Sequence, residues 1–140
     1  MINLIFTNTI KQKISERMFK GLIKKTEKAL KFKKNVNLGL ILVNDQEIKK
    51  INKIYRNKNQ ATDVISFAFN ESEKNPKENY LGEIFISFDT AKKQAQDLNH
   101  SLEYELKFLF THGLLHIFGY DHHTDKEENE MNSVADKILK

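Results

Sequence analysis

The chain has 140 residues, enough for one domain with a buried core and too few for two domains of ordinary size. It contains no cysteine, which excludes disulfides and thiolate metal sites, so a bound metal must take imidazole and carboxylate ligands. The formal net charge of +4 favours a polyanionic partner such as nucleic acid, and the two arginines are Arg17 and Arg56.

The N-terminal region predicts a strand followed by an amphipathic helix. Residues 2–7 suit a strand, and Thr9 with Gln12 has the spacing of a capping box that would open the helix. Apolar residues then recur at helical spacing at Ile10, Ile14, Met18, Leu22 and Ala29. The lysines fall on the other faces, which predicts a solvated face.

Further strands and a second helix are predicted before residue 90. Residues 36–43 are a predicted buried strand, and residues 62–69 and 81–88 are the third and fourth. Asn44 or Asp45 is the expected cap of a short second helix. The side chains of this helix that should face the core are Ile48, Ile51 and Tyr55. The charged stretch 71–79, which holds the single proline of the chain, predicts a loop.

The C-terminal third predicts three helices. Asp89 or Thr90 is the expected cap of the first, which would run through Leu98. Ser101 would cap a second helix that ends near Phe118, where Gly119 can adopt a left-handed conformation. The last helix would follow a capping box at Thr124 and Glu127. Strands interspersed with helices and a helical C-terminal third indicate a single α+β domain over residues 1–140, with a mixed four-stranded sheet and about five helices.

Four of the five histidines fall within residues 112–123. His112 and His116 are four apart, so on one helix face both imidazoles can reach one ion, and Gly119 would turn the chain so that His122 is the third ligand. Three imidazoles suit zinc, and also nickel, cobalt, copper or iron, and they leave a coordination position open. The alternatives are ordinary core histidines, or a closed structural site with a fourth ligand.

The residues around these histidines leave roles open. Asp121 or His123 is the candidate fourth ligand, although Asp121 could instead orient a liganding imidazole and His123 is expected to face solvent. Position 113 is glycine, whereas zinc peptidases of the HExxH type carry their glutamate general base there. Peptide hydrolysis by that route therefore lacks its base, and the glycine allows close packing.

Three segments together resemble the YbeY family of metal-dependent endoribonucleases, which act in ribosomal RNA maturation. They are HGLLHIFGYDH at 112–122, YRNKNQATDVISFAF at 55–69 and LGEIFIS at 81–87, and the resemblance covers roughly residues 36–140. It implies one Zn2+ per chain held by His112, His116 and His122. It also implies catalytic roles for Arg56 and His112.

The expected activity is cleavage of single-stranded RNA. Arg56 would stabilise developing phosphate charge, Arg56 and Lys58 would contact RNA, and Thr62, Asp63 and Ser66 stay outside the core site. The resemblance implies work in ribosome quality control with ribosomal RNA and small-subunit ribosomal proteins as partners. With no apolar segment long enough for a membrane span and no signal-peptide pattern, we expect a cytoplasmic protein.

Two alternatives come from other classes of protein. One is a noncatalytic ribosome-assembly or RNA-binding factor whose metal only stabilises the fold. The other is a metallohydrolase of peptides or small esters, which would need a carboxylate such as Glu83 beside the metal.

Overall fold

The computed structural model describes residues 1–69 and 79–140, so the predicted loop at 71–79 falls outside these ranges except for its last residue. The described elements, in chain order, are β1 (Ile2–Asn8), α1 (Glu16–Leu30), β2 (Val36–Val43), α2 (Asp45–Arg56), β3 (Val64–Ala68), β4 (Tyr80–Ser87), α3 (Phe88–Asp97), α4 (Leu102–Ile117) and α5 (Asp125–Leu139). None of the helices in these ranges has both the length and the hydropathy of a membrane span.

The four strands form one mixed sheet in the order β1-β2-β4-β3. β1 pairs with β2 and β2 with β4 in parallel, whereas β3 runs antiparallel to β4 and forms an edge of the sheet. Parallel neighbours need crossover connections, which α1 supplies between β1 and β2. The predicted α+β class with a mixed four-stranded sheet and five helices is confirmed for the described residues.

The main core lies between one face of the sheet and helices α1, α3, α4 and α5. Alternate strand residues point to this face and are fully buried, namely Leu38, Leu40, Leu42, Ile84 and Ile86. Phe19 of α1 and Phe110 of α4 meet over it with ring centroids 5.1 Å apart. The opposite face carries a smaller cluster in which Ile48 of α2 packs with Val43 and Ile65. The sheet therefore separates α2 from α4.

The predicted capping box at Thr9 is wrong. The Thr9 hydroxyl donates to the carbonyl of Leu42 at 2.6 Å, so Thr9 fixes the end of β1 against β2 instead of opening a helix. The helix starts at Glu16, after Ser15. Ile10 and Ile14 still pack against the core from the preceding segment.

Two other local predictions need correction. Tyr55 is 69% exposed, and the buried residue of that turn is Asn52, whose side-chain amide donates to the Gln60 carbonyl at 2.9 Å. The cap of α3 is Ser87, at the end of β4, because its hydroxyl accepts from the Thr90 amide. Asp89 and Thr90 consequently lie inside the helix.

The other predicted caps are confirmed. Asn44, Ser101 and Thr124 each accept a hydrogen bond from the backbone amide three residues later. Gly119 has a φ of 95°, a conformation that side chains rarely tolerate. The turn between α4 and α5 therefore forms where the sequence predicts it.

Candidate metal centre

Helix α4 positions the histidines by packing its other side against the sheet. A Cβ atom built at Gly113 would lie 3.1 Å from Cγ2 of Ile84 and 3.4 Å from Cγ2 of Val64. Position 113 thus faces β3 and β4, and its lack of a side chain permits close packing of helix on sheet. A glutamate there would point into the sheet, in agreement with the exclusion of HExxH chemistry.

After α4 the chain reverses direction and packs back against the last helical turn of α4. The amide of Gly119 donates to the carbonyl of His116, and the amide of Tyr120 donates to that of Leu115, both at 3.0 Å. As a result His116 and His122 face each other with ring centroids 5.3 Å apart. Together with Asp121 they form a group whose potential ligand atoms all lie within 4.8 Å of one another.

The hydrogen bonding of His116 suits a metal ligand. Its Nδ1 lies 3.0 Å from the carbonyl oxygen of Tyr120. A carbonyl can only accept, so Nδ1 is the donor, and in the neutral imidazole this leaves the lone pair on Nε2 available to an ion. Two imidazoles and a carboxylate are also a donor set that zinc accepts. The residues present therefore fit a bound divalent metal.

His112 lies one helical turn before this group, and its imidazole packs against Phe108 with ring centroids 4.2 Å apart. Burial lowers the pKa of His112, and the charges of His116 and His122 lower it further, against an opposing effect of the carboxylates of Asp63 and Asp136. The neutral imidazole is the form that binds metals. His112 is thus electrostatically coupled to the histidine pair while standing outside the tight group.

The carboxylate of Asp121 contacts both of the histidines that follow it in the chain. Its Oδ1 accepts from the backbone amide of His122 at 2.7 Å, and its Oδ2 lies 3.0 Å from Nε2 of His123. His123 has 79% of its side chain exposed, as expected for a residue facing solvent. Asp121 is therefore placed either to bind an ion directly or to orient an imidazole that does.

A groove of about 730 Å³ opens beside the turn. It is lined by Tyr120 and by residues of α5, among them Lys126, Asn129 and Ser133. Tyr120, whose carbonyl accepts from His116, therefore joins the lining of the groove to the metal-binding group.

Arg56 and Lys58 lie at the C-terminal end of α2, the helix on the opposite face of the sheet from α4. Arg56 donates from Nη2 to the carbonyl of Ser66 at 3.3 Å, and its guanidinium lies 6.0 Å from the centroid of the Phe67 ring. Lys58 is exposed, and its amide donates to the Asn52 carbonyl. Edge strand β3 connects the two regions, because its residue Val64 packs against α4 on the other face.

Glu83 points away from the histidines. On β4 it pairs with Phe67 of β3, and its Cγ lies 3.1 Å from where a Cβ atom at Gly39 would be. These residues share the α2 face of the sheet, whereas Ile84 faces α4. The carboxylate that a peptide or ester hydrolase would need is therefore not supplied by Glu83.

Two residues near the site were not predicted from the sequence to belong to it. Asp63 belongs to the segment of the family resemblance and here accepts from the Val64 amide and the Gln94 side chain. Asp136 sits among the polar residues of α5, and no motif marks it. The carboxylates of both oppose the lowering of the pKa of His112, as expected for negative charges near its imidazole.

The family model and the curated relatives that match this sequence name one family. The model of the family described as "Endoribonuclease YbeY" matches residues 3–140. A protein of that name from Acholeplasma laidlawii is 50% identical over 107 residues, covering 76% of this chain and 75% of the relative. Its namesake from Staphylococcus carnosus is 41% identical and covers 99% and 95% of the two chains. The solution structure of TM1509 from Thermotoga maritima superposes with a TM-score of 0.65 at 29% identity, covering 99% and 87%.

Proposed function

The chain belongs to the endoribonuclease YbeY family, and on that premise we propose that it is a zinc-dependent endoribonuclease specific for single-stranded RNA. Its task would be maturation of ribosomal RNA and ribosome quality control in the cytoplasm. Residues 1–140 would form the single catalytic domain.

The observation that supports the metal role best is the 3.0 Å contact of His116 Nδ1 with the Tyr120 carbonyl oxygen, beside Asp121 and His122. We assign the zinc ligands to His112, His116 and His122, with Asp121 as a further ligand or an orienting residue. Zinc would supply a Lewis acid for the scissile phosphate and lower the pKa of water. The lowered pKa of His112 supports its place in the set, since it keeps the imidazole neutral.

The remaining roles fall to cationic side chains and to β3. Arg56 would contact the scissile phosphate, because a planar guanidinium can donate two hydrogen bonds to phosphate oxygens while they gain charge. Lys58, two residues further on, would contact a neighbouring phosphate. Since Arg56 binds the Ser66 carbonyl and Val64 packs on α4, an RNA strand crossing the edge of β3 would meet both Arg56 and His112.

The test combines zinc content with cleavage of a single-stranded RNA by the purified chain. Wild type should bind about one zinc per chain, cut the single strand in preference to a duplex, and stop after chelation until zinc is restored. His116→Ala should lose zinc and cleavage together, Arg56→Ala should lose cleavage alone, and exposed His123→Ala should lose neither. Zinc binding without cleavage in wild type would favour the noncatalytic RNA-binding factor.

The ribosomal part of the proposal has its own test. Cells depleted of this protein should accumulate ribosomal RNA precursors, and wild type, but not Arg56→Ala, should restore processing. Small-subunit ribosomal proteins are the proposed partners and should co-purify with the chain after crosslinking. Normal levels of ribosomal RNA precursors in depleted cells would show that this protein does not act in ribosomal RNA maturation.

A further inference from the structure

Positive charge is concentrated in one short segment of the chain. Residues 11–34 contain ten basic and two acidic residues, a net charge of +8. The rest of the chain contains thirteen basic and seventeen acidic residues, a net charge of −4. The overall charge of +4 therefore conceals a strongly basic segment, which consists of α1 and its flanks.

The basic side chains of this segment form one continuous surface. Five of them follow each other at intervals of three or four residues along α1 and are exposed, namely Arg17, Lys20, Lys24, Lys28 and Lys31. They lie opposite the buried side of α1, which carries Phe19, Leu22, Ile23 and Thr26. The row spans fifteen residues, from Arg17 to Lys31, roughly 20 Å of helix. We call it the α1 basic surface.

The two acids of the segment neutralise little of this row. Glu27 is turned to the N-terminus, where its Oε2 accepts from the Ile2 amide at 2.9 Å and lies 3.6 Å from the Met1 ammonium. Glu16 lies 3.9 Å from Lys20, at the far end of the helix. Lysines four residues apart, such as Lys24 and Lys28, repel each other and destabilise a helix by about 0.2–0.5 kcal/mol per pair. A bound polyanion would remove this repulsion.

The α1 basic surface ends near the turn that follows α4. Lys31 ends α1 in a left-handed conformation with a φ of 53°, and the next residue, Phe32, places its ring 5.1 Å from that of Phe118. Phe118 follows α4 and stands two residues after His116. A polymer lying along α1 would therefore reach the turn that carries the histidines.

We propose that the α1 basic surface binds the phosphate backbone of the RNA strand that enters the metal centre. The identity of the polymer as RNA rests on the proposed function, whereas the position of the surface rests on charge and on the contact between Phe32 and Phe118. Charges of one sign along a helix recognise the phosphate spacing of a single strand without reading its sequence. The surface thus contributes binding affinity and sets the direction from which the RNA strand approaches. Cleavage itself is carried out at the metal centre.

The experiment compares two triple variants that remove the same charge. Lys24→Gln/Lys28→Gln/Lys31→Gln alters the α1 basic surface, and Lys49→Gln/Lys92→Gln/Lys93→Gln alters exposed lysines of α2 and α3. Binding of a fluorescent 2′-O-methyl single-stranded oligonucleotide to the full, zinc-loaded chain is followed by anisotropy over a series of KCl concentrations. Gels confirm that the probe stays intact, and thermal melting confirms that both variants fold, as expected because glutamine is as good a helix former as lysine.

The α1 variant should lower the slope of log affinity against log salt by about 2, since each phosphate contact to a single strand contributes about 0.7. At low salt its affinity should fall by tenfold or more, while the control variant stays close to wild type. Equal losses in both variants, or no loss in the α1 variant, would overturn the proposal.

The two proposals can fail separately. If wild type cuts RNA and the α1 variant keeps the wild-type salt slope, the α1 surface is not the binding surface and the endoribonuclease proposal stands. If wild type cuts no RNA and the α1 variant alone loses binding, the surface stands and the assigned chemistry is wrong.

Discussion

The imidazole of His116 donates a hydrogen bond from Nδ1 to the backbone carbonyl of Tyr120, across the turn that ends α4. The acceptor is a main-chain atom, so the tautomer of His116 does not depend on the side chain at position 120. The turn itself depends on Gly119, whose φ of 95° few other residues adopt readily. Backbone conformation therefore prepares this histidine to bind a metal before any ion arrives.

Asp121→Asn is expected to weaken zinc binding about 10- to 100-fold. The carboxylate lies in the group of potential ligands, and the amide removes its negative charge whether Asp121 binds the ion or orients an imidazole. Competition with a chromophoric chelator measures the affinity. His123→Ala is the matched control because His123 contacts the same carboxylate from solvent, and its zinc affinity should stay near wild type. Wild-type affinity in Asp121→Asn would remove Asp121 from the metal centre.

Arg56→Lys is expected to lose cleavage nearly as fully as Arg56→Ala, by about 10²–10³ in kcat/KM. Lysine keeps the charge but cannot make two parallel hydrogen bonds to phosphate. Zinc content should be unchanged, and the free energy of unfolding should change by less than about 1 kcal/mol, because the bond from Arg56 to Ser66 is solvent-exposed. Steady-state cleavage, metal analysis and denaturant unfolding provide the three readouts. If Arg56→Lys is active, position 56 contributes only its positive charge and not a pair of hydrogen bonds to phosphate.

The metal-free protein should lose stability as the pH falls below about 6.5, the ordinary pKa of histidine. Because burial lowers the pKa of His112 in the fold, the unfolded chain takes up the proton at a higher pH, which favours unfolding on acidification. His112→Gln should reduce this pH dependence, whereas His123→Gln, at an exposed position, should keep it. Urea unfolding in chelator at a series of pH values makes the comparison. Identical curves for wild type and His112→Gln would contradict the expectation.

Gly82→Ala should destabilise the protein by about 3 kcal/mol through overpacking. A Cβ atom at position 82 would lie 2.9 Å from Cδ1 of Ile117 and would also clash with the carbonyl oxygen of Phe67, which is backbone and cannot rotate away. Gly21→Ala is the control on α1, where nothing lies within 4 Å of the new atom, and it should stabilise the protein by about 0.5–1 kcal/mol. Denaturant unfolding of both variants tests the pair. A neutral Gly82→Ala would mean that β3 shifts freely against β4.

The features that sequence predicted well depend on neighbours a few residues away. The helix that carries the histidines, the glycine that reverses the chain and the caps at Ser101 and Thr124 are all local features. Arrangements of this kind leave a direct pattern in the sequence. The structure accordingly brings His116 and His122 together at the predicted end of α4.

The features that sequence predicted poorly depend on distant partners. Thr9 matches a capping box, but its hydroxyl is taken by Leu42, 33 residues away on a neighbouring strand. The direction of Glu83 follows from the pairing of β4 with β3, which no local pattern encodes. Asp136 influences His112 only because α5 folds back onto the site.

The short span of the metal-binding group has a consequence for how the chain folds. His116 and His122 are six residues apart, whereas the pairing of β1 with β2 joins Ile2 to Val36. An unfolded chain thus keeps these candidate metal donors near one another even when the sheet is absent, and we expect the proposed zinc ion to bind that state too. Because a ligand stabilises a fold only through its preference for the native state, zinc should raise the melting temperature less than its affinity for the native protein implies. Metal content by itself is consequently a poor test of whether a variant has folded.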